Sequence, residues 1–262
     1  MRYLTVLLVA GGLVASLGVG SRAQAQSLTD MILPSVPAPA APNAAAPAKP
    51  VSGATVYLVD QSGNLGTLDL GTRAVHVIFN THQHLTDIAF SPTGKLYAVS
   101  FKLLFQIDPV GKTIRTVGRL GVRGVNALVF NAAGECFGAS TDSTTLYSIN
   151  TTTGRATTIG SNGKFNSAGD LAFFQHQLLL TSTDQHLVAL SPVNGSAGVA
   201  ISDGIKDLFG LVSPSTSELD AFSFTKAYRY NPATKKFTAL FDFGGKGLGK
   251  IFGAAYNGNF GP

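Results

Sequence analysis

The sequence predicts an all-β protein, a single β-propeller of five four-stranded blades.

 Three observations carry the prediction. A unit of about 40 residues recurs along residues 53–262. Each unit holds four short apolar runs separated by turn residues, the pattern of a propeller blade. The runs are rich in Val, Ile, Phe, Tyr and Thr and lack helical periodicity, so almost no helix is expected.

The repeat is legible in three elements. One is a short run ending in a small polar residue: Val56-Tyr-Leu-Val-Asp60, Leu96-Tyr-Ala-Val-Ser100, Cys136-Phe-Gly-Ala-Ser140, Leu178-Leu-Leu-Thr-Ser182 and Leu219-Asp-Ala-Phe-Ser223. Its final positions are 40, 40, 42 and 41 residues apart. A second element enters a turn at Leu68-Asp69, Ile107-Asp108, Ile149-Asn150, Leu190-Ser191 and Tyr230-Asn231. Gly71, Gly111, Gly154 and Gly195 follow, where a turn calls for a permissive backbone. A third, predicted to be the innermost strand, precedes the others: Asp87-Ile-Ala-Phe90, Ala127-Leu-Val-Phe130, Asp170-Leu-Ala-Phe173, Asp207-Leu-Phe-Gly210 and Lys250-Ile-Phe-Gly253.

Closure follows from the same reading. The repeats open in mid-blade at Val56, and Ile251-Phe-Gly-Ala-Ala-Tyr256 supplies an inner strand with no continuation. The N- and C-terminal segments are therefore expected to share one blade and seal the ring, which removes exposed sheet edges.

Ahead of the repeats, Arg2, the apolar run Leu4 to Val19 and Ala23-Gln24-Ala25 read as a Sec-type signal peptide, residues 1–25, with cleavage after Ala25. The run is short for a permanent membrane span. Residues 26–52 are expected to form a Pro/Ala-rich disordered linker, and residues 53–262 the propeller domain. The expected location is periplasmic or extracellular, with no transmembrane span after cleavage. Cleavage would remove Arg2 and Arg22, leaving 17 basic against 14 acidic residues, a net charge of +3. These charges are scattered, which argues against a nucleic-acid groove. The single cysteine, Cys136, excludes an internal disulfide and is expected to be buried and inert.

Units such as Ile88-Ala-Phe-Ser-Pro-Thr-Gly-Lys-Leu-Tyr97, followed by Leu104-Phe-Gln-Ile-Asp-Pro109, resemble the repeats of bacterial exported propellers of the lactonase-like and quinoprotein-dehydrogenase-like group. The resemblance spans roughly residues 53–262 and concerns architecture, because the matching residues are turns and core.

Candidate site residues lie where the inner strands begin. Asp87, Asp170 and Asp207 are expected in one register at the channel mouth, with Lys250 in that register in the closing blade and Asn126 beside it in another. Three converging carboxylates suit a hard cation such as Ca²⁺, or a small polar ligand. Equally, each Asp can accept backbone hydrogen bonds and tie its blade to the next. His82 and His84 alternate in the segment leading to the mouth and are further metal candidates with Asp87. Asp60-Gln-Ser-Gly-Asn-Leu-Gly66 is read as a hairpin turn rather than a calcium loop.

These features favour a non-catalytic binding or scaffold module, its ligand or protein partner at the mouth. One alternative is a metal-assisted, lactonase-like hydrolase using the three aspartates. Another is a carbohydrate-binding propeller, which the absence of Trp disfavours. No Gly-x-Ser-x-Gly elbow is present to place a nucleophile.

Overall fold

The computed structural model describes residues 53–258 and 260–262. The expected signal peptide (1–25) and linker (26–52) lie outside the described residues. In chain order the strands are β1 (Thr55–Asp60), β2 (Asn64–Asp69) and β3 (Val75–Asn80); β4 (Asp87–Phe90), β5 (Leu96–Val99), β6 (Leu103–Asp108) and β7 (Thr113–Arg119); β8 (Val125–Phe130), β9 (Cys136–Ser140), β10 (Thr145–Ile149) and β11 (Ala156–Ser161). They continue with β12 (Ser167–Phe174), β13 (Gln177–Ser182), β14 (His186–Leu190) and β15 (Ala197–Ser202); β16 (Leu208–Ser215), β17 (Glu218–Ser223), β18 (Lys226–Asn231) and β19 (Lys236–Asp242); and finally β20 (Ile251–Ala255). Among the described residues there is no helix.

Five antiparallel four-stranded sheets result: β4 to β7, β8 to β11, β12 to β15, β16 to β19, and a closing blade in the order β20-β1-β2-β3. The five innermost strands, β4, β8, β12, β16 and β20, each pack on the next around the ring. Closure is a strand exchange between the two ends of the domain: Tyr57 faces Ala255, Leu58 faces Ala254 and Val59 faces Gly253.

The burial gradient across a blade explains the apolar runs. Every residue of β4, β5 and β9 is buried, whereas the outer strands β7, β11, β15 and β19 alternate between half-buried and exposed. An inner strand is covered by blades on both sides and so cannot alternate; an outer strand meets water. The core is five apolar clusters, one between each pair of neighbouring blades. Aromatic pairs repeat across these seams. Tyr57 meets Phe90, Tyr97 meets Phe130 and Phe137 meets Phe173, with ring centroids 4.9, 5.3 and 6.0 Å apart. Each such pair contributes about 0.5–1.5 kcal/mol beyond its area burial.

Polar residues fix the turns. Asp69, Asp108, Asn150 and Asn231 each accept backbone N–H bonds from residues two or three further on, which closes the outer hairpins. In three blades the small polar residue ending the second strand anchors the entry segment of the same blade. Ser140 Oγ donates to the Arg123 carbonyl, Ser223 Oγ donates to that of Lys206, and Asp60 accepts from the Gly249 amide. Asp60 also accepts from the Ser62 and Asn64 amides, so its carboxylate organises the expected hairpin turn.

Candidate functional site

The inner strands set the register of everything near the axis. Leu128 and Leu211 receive the side chains of Asp87 and Asp170, which places Asp87, Ala127, Asp170, Gly210 and Gly253 at one level of the channel. Asp207 is not at that level. It precedes Gly210 by three residues, as Lys250 precedes Gly253, so the expected common register of three aspartates is corrected: two share it and the third lies further out. Asp207 has a positive φ of 58°, in the turn that feeds β16.

Asp87 and Asp170 form a clasp. Asp87 accepts from its neighbour Ile88 N at 2.7 Å and, across the seam, from Leu128 N at 2.6 Å. Asp170 does the same with Leu171 N at 2.7 Å and Leu211 N at 2.6 Å. The two carboxyl groups lie close enough to act on each other. Both are wholly buried. Burial, and secondarily the facing Asp170 charge, hold Asp87 well above the ordinary carboxylate range; burial does the same to Asp170. Gly253 is kept small by the pair: a Cβ there would stand 2.5 Å from Asp87 Cα and Oδ1.

Immediately outside the clasp, pairing with the second strand slips in each blade. Asn126 is skipped between the pairs Val125–Ser140 and Ala127–Ala139. Phe209 is skipped between Leu208–Ser223 and Gly210–Phe222, and Phe252 between Ile251–Asp60 and Gly253–Val59. In β12 the slip falls within residues 168–170, and before β4 the Thr86 amide bonds the Val99 carbonyl that already faces Asp87. Such bulges re-aim side chains. Here they turn Thr86, Asn126, Gly169, Phe209 and Phe252 into the wall of a cavity of about 220 Å³, completed by Phe101, Thr141 and Ala168.

The rim carries more rings and one ion pair. Phe101 and Phe224, each directly after a second strand, are 48% and 45% exposed. Lys250 Nζ lies 4.3, 4.7 and 5.8 Å from the ring centroids of Phe224, Phe209 and Phe252. Its carboxylate partner is Asp207 Oδ2 at 3.9 Å, a loose and half-exposed contact. Asn126 is buried; its Nδ2 donates to the Ser167 carbonyl at 3.2 Å, but its Oδ1 has no partner, and neither has Ser167 Oγ.

His82 and His84 are exposed in the β3–β4 connection, His82 with φ 54°. Among the described residues no three His, Cys, Asp or Glu side chains come together to hold a metal ion. Also among the described residues, no helix is long and apolar enough to cross a membrane. The aromatic rim was not foreseen in the sequence. The available signal was position: Phe101 and Phe224 follow Ser100 and Ser223, where the other blades carry Gln61, Thr141 and Thr183.

The opposite end of the channel is stoppered. After β20 the chain crosses it, and Ala132 N donates to the Gly261 carbonyl at 2.7 Å, beside a parallel bridge between Asn131 and Gly261. Tyr256, Gly258 and Phe260 leave only a cavity of about 50 Å³ there.

No protein-family model matches the chain, and no curated protein matches it. Among solved structures it is similar to a chain in a nidogen/laminin complex, at 14% identity, over 79% of this chain and 81% of that one, with a TM-score of 0.54. It is also similar to a structural genomics protein of unknown function from Bacteroides thetaiotaomicron VPI-5482, at 10% identity, over 80% of this chain and 63% of that one, with a TM-score of 0.56. At these identities the likeness establishes the β-propeller fold and nothing finer.

Proposed function

We propose that this chain is an exported, non-catalytic binding or scaffold propeller that takes its ligand or partner at the mouth where the inner strands begin. The observation that carries this is the asymmetry of the channel: one end is closed by the chain's own tail, and the other opens into a ring-lined cavity. Exposed aromatic side chains around a concavity are a common feature of binding surfaces. The first residues of β1 pair near the end of β20, on the stoppered side. A Sec-type signal over residues 1–25 would deliver such a propeller to the periplasm or the cell exterior. A neighbour of the same fold belonging to a nidogen/laminin complex is in keeping with a protein-binding role.

The lactonase-like alternative has less support. Asp87 and Asp170 are fully buried and occupied with backbone amides, while a hydrolytic carboxylate has to meet substrate or a metal-bound water.

The test compares species retained by the native protein with those retained by two double variants. Phe101→Asp with Phe224→Asp alters the mouth; Val110→Asp with Val193→Asp alters two fully exposed turns on the stoppered side. Extracts of the exported compartment are passed over each protein, and bound species are read by native mass spectrometry. Loss with the mouth variant alone is expected. Equal retention by all three proteins refutes the assignment of the mouth.

A further inference from the structure

We infer that the mouth cavity is a pocket for a small aromatic ring bearing an O–H or N–H donor, a phenol or an aromatic amine, with that donor directed at Asn126 Oδ1. This rests on the mouth being the binding face and adds the chemistry of what enters it.

Three independent features lead there. The first is size: about 220 Å³ is several times the roughly 30 Å³ share of one water in the liquid. It holds a single substituted ring. The second is the wall. Phe101, Phe209 and Phe252 supply three ring faces or edges, and Phe209 and Phe252 are locked edge-to-face at 88° with centroids 5.8 Å apart. Ala168 and Gly169 add little bulk to the wall, and Gly169 is held small because a Cβ would stand 3.0 Å from the Phe209 carbonyl oxygen. Aromatic rings favour offset or edge contacts with such a wall.

The third is polar and selects the donor. Asn126 lines the cavity at 5% exposure, its Nδ2 committed to the Ser167 carbonyl, its Oδ1 without a partner. A buried acceptor left unmade is costly, so a ligand that presents a hydrogen to it gains over one that does not. Of the two threonines in the wall, Thr86 Oγ1 is engaged with the carbonyls of Val99 and Val125 at 3.1 and 3.2 Å, and Thr141 is only half-buried, so neither is a desolvated acceptor left open as Asn126 Oδ1 is. The bulge at Asn126 is what turns an inner-strand amide towards the channel, and Asp87 fixes that bulge from below through Leu128.

The test is calorimetric and NMR titration of the whole propeller with 4-methylphenol and with 4-fluorotoluene. The two have nearly the same shape, but the second has no donor. The phenol is expected to bind saturably and about tenfold more tightly, the factor for one hydrogen bond to a buried acceptor. Ala168→Phe, which fills the cavity, should abolish binding of both. Asn126→Leu removes the acceptor while keeping an apolar side chain of similar length, and should bring the two affinities together. Native circular dichroism of each variant checks the fold. Equal affinity of the two probes for the native protein, no saturable binding of either, or a phenol preference that survives in Asn126→Leu overturns the inference. If mouth-dependent retention of a species persists while the phenol fails to bind, the ligand class alone is wrong. If retention is also indifferent to the mouth variants, the binding face itself is wrong.

Discussion

Replacing Asp87 with alanine should be among the most damaging single changes in the domain. The carboxyl group accepts from two buried amides, Ile88 N and Leu128 N, and meets Asp170 at the axis. Each buried N–H left without an acceptor costs about 1–3 kcal/mol, so the two together cost roughly 2–6 kcal/mol. Relief of crowding two buried carboxyl groups offsets part of this, and we expect a net loss of about 3 kcal/mol. For a domain of this size that lowers Tm by roughly 6–12 °C. Thermal and urea melts followed by circular dichroism measure it, and hydrogen exchange should show the Leu128 amide losing protection. Because the two buried groups act on each other, the double variant Asp87→Ala, Asp170→Ala should cost less than the sum of the single changes. The pH dependence has a definite sign. Both folded carboxyl groups are raised, whereas in the unfolded chain they titrate near about 3.9. The folded state thus binds more protons, and this contribution is complete below the unfolded value and is lost as pH rises through the folded ones. The Tm advantage of the native chain over Asp87→Asn, Asp170→Asn should therefore shrink as the pH rises above about 4. An unchanged Tm in Asp87→Ala, or an advantage that grows with pH, would refute the clasp.

Arg229 holds the fully buried Asp220 through Nε at 2.8 Å and Nη2 at 2.9 Å, and reaches Glu218 through Nη1 at 2.8 Å. Arg229→Ala should cost about 3–5 kcal/mol in urea unfolding, and Arg229→Lys should recover only part, since an ammonium cannot make the paired contact. Cys136 is buried on β9, and burial pushes its thiol far above the ordinary range, so a thiol reagent should leave the folded protein unmodified and react with one equivalent in urea. N-terminal sequencing of protein recovered from the exported fraction should begin at Gln26, and a chain retaining Met1 there would refute the signal-peptide assignment.

The ring was legible because its signals are short-range. Asp69, Asp108, Asn150 and Asn231 recur because each closes a hairpin with its own side chain, and a turn of fixed chemistry returns at a fixed spacing. The closing blade was legible because one inner strand without a continuation and three strands without an inner partner fit only each other. The inner-strand register was legible in three blades and slipped in two. Asp207-Leu-Phe-Gly210 resembles Asp170-Leu-Ala-Phe173 in residue type, but register is set by which residue the bulge skips, and there it is Phe209. A bulge leaves no mark in composition. The rim was hidden for a related reason: its position after the second strand carries Phe in two blades and polar residues in the others, so no repeat average displays it.

The clasp and the cavity depend on each other physically. At the level of the clasp the closing strand has no room for a Cβ at Gly253, beside Asp87. The tail blocks the far end. The mouth cavity is walled by the residue just before each member of that level: Thr86, Asn126, Gly169, Phe209 and Phe252. Leu128, bonded by Asp87, is two residues from Asn126; Leu211, bonded by Asp170, is two residues from Phe209. The carboxyl pair thus pins the strands on which two of the wall residues are displayed. Weakening it should loosen the mouth before it unfolds the ring, so in Asp87→Ala the exchange of amides flanking Asn126 should rise under conditions where the outer hairpins remain protected.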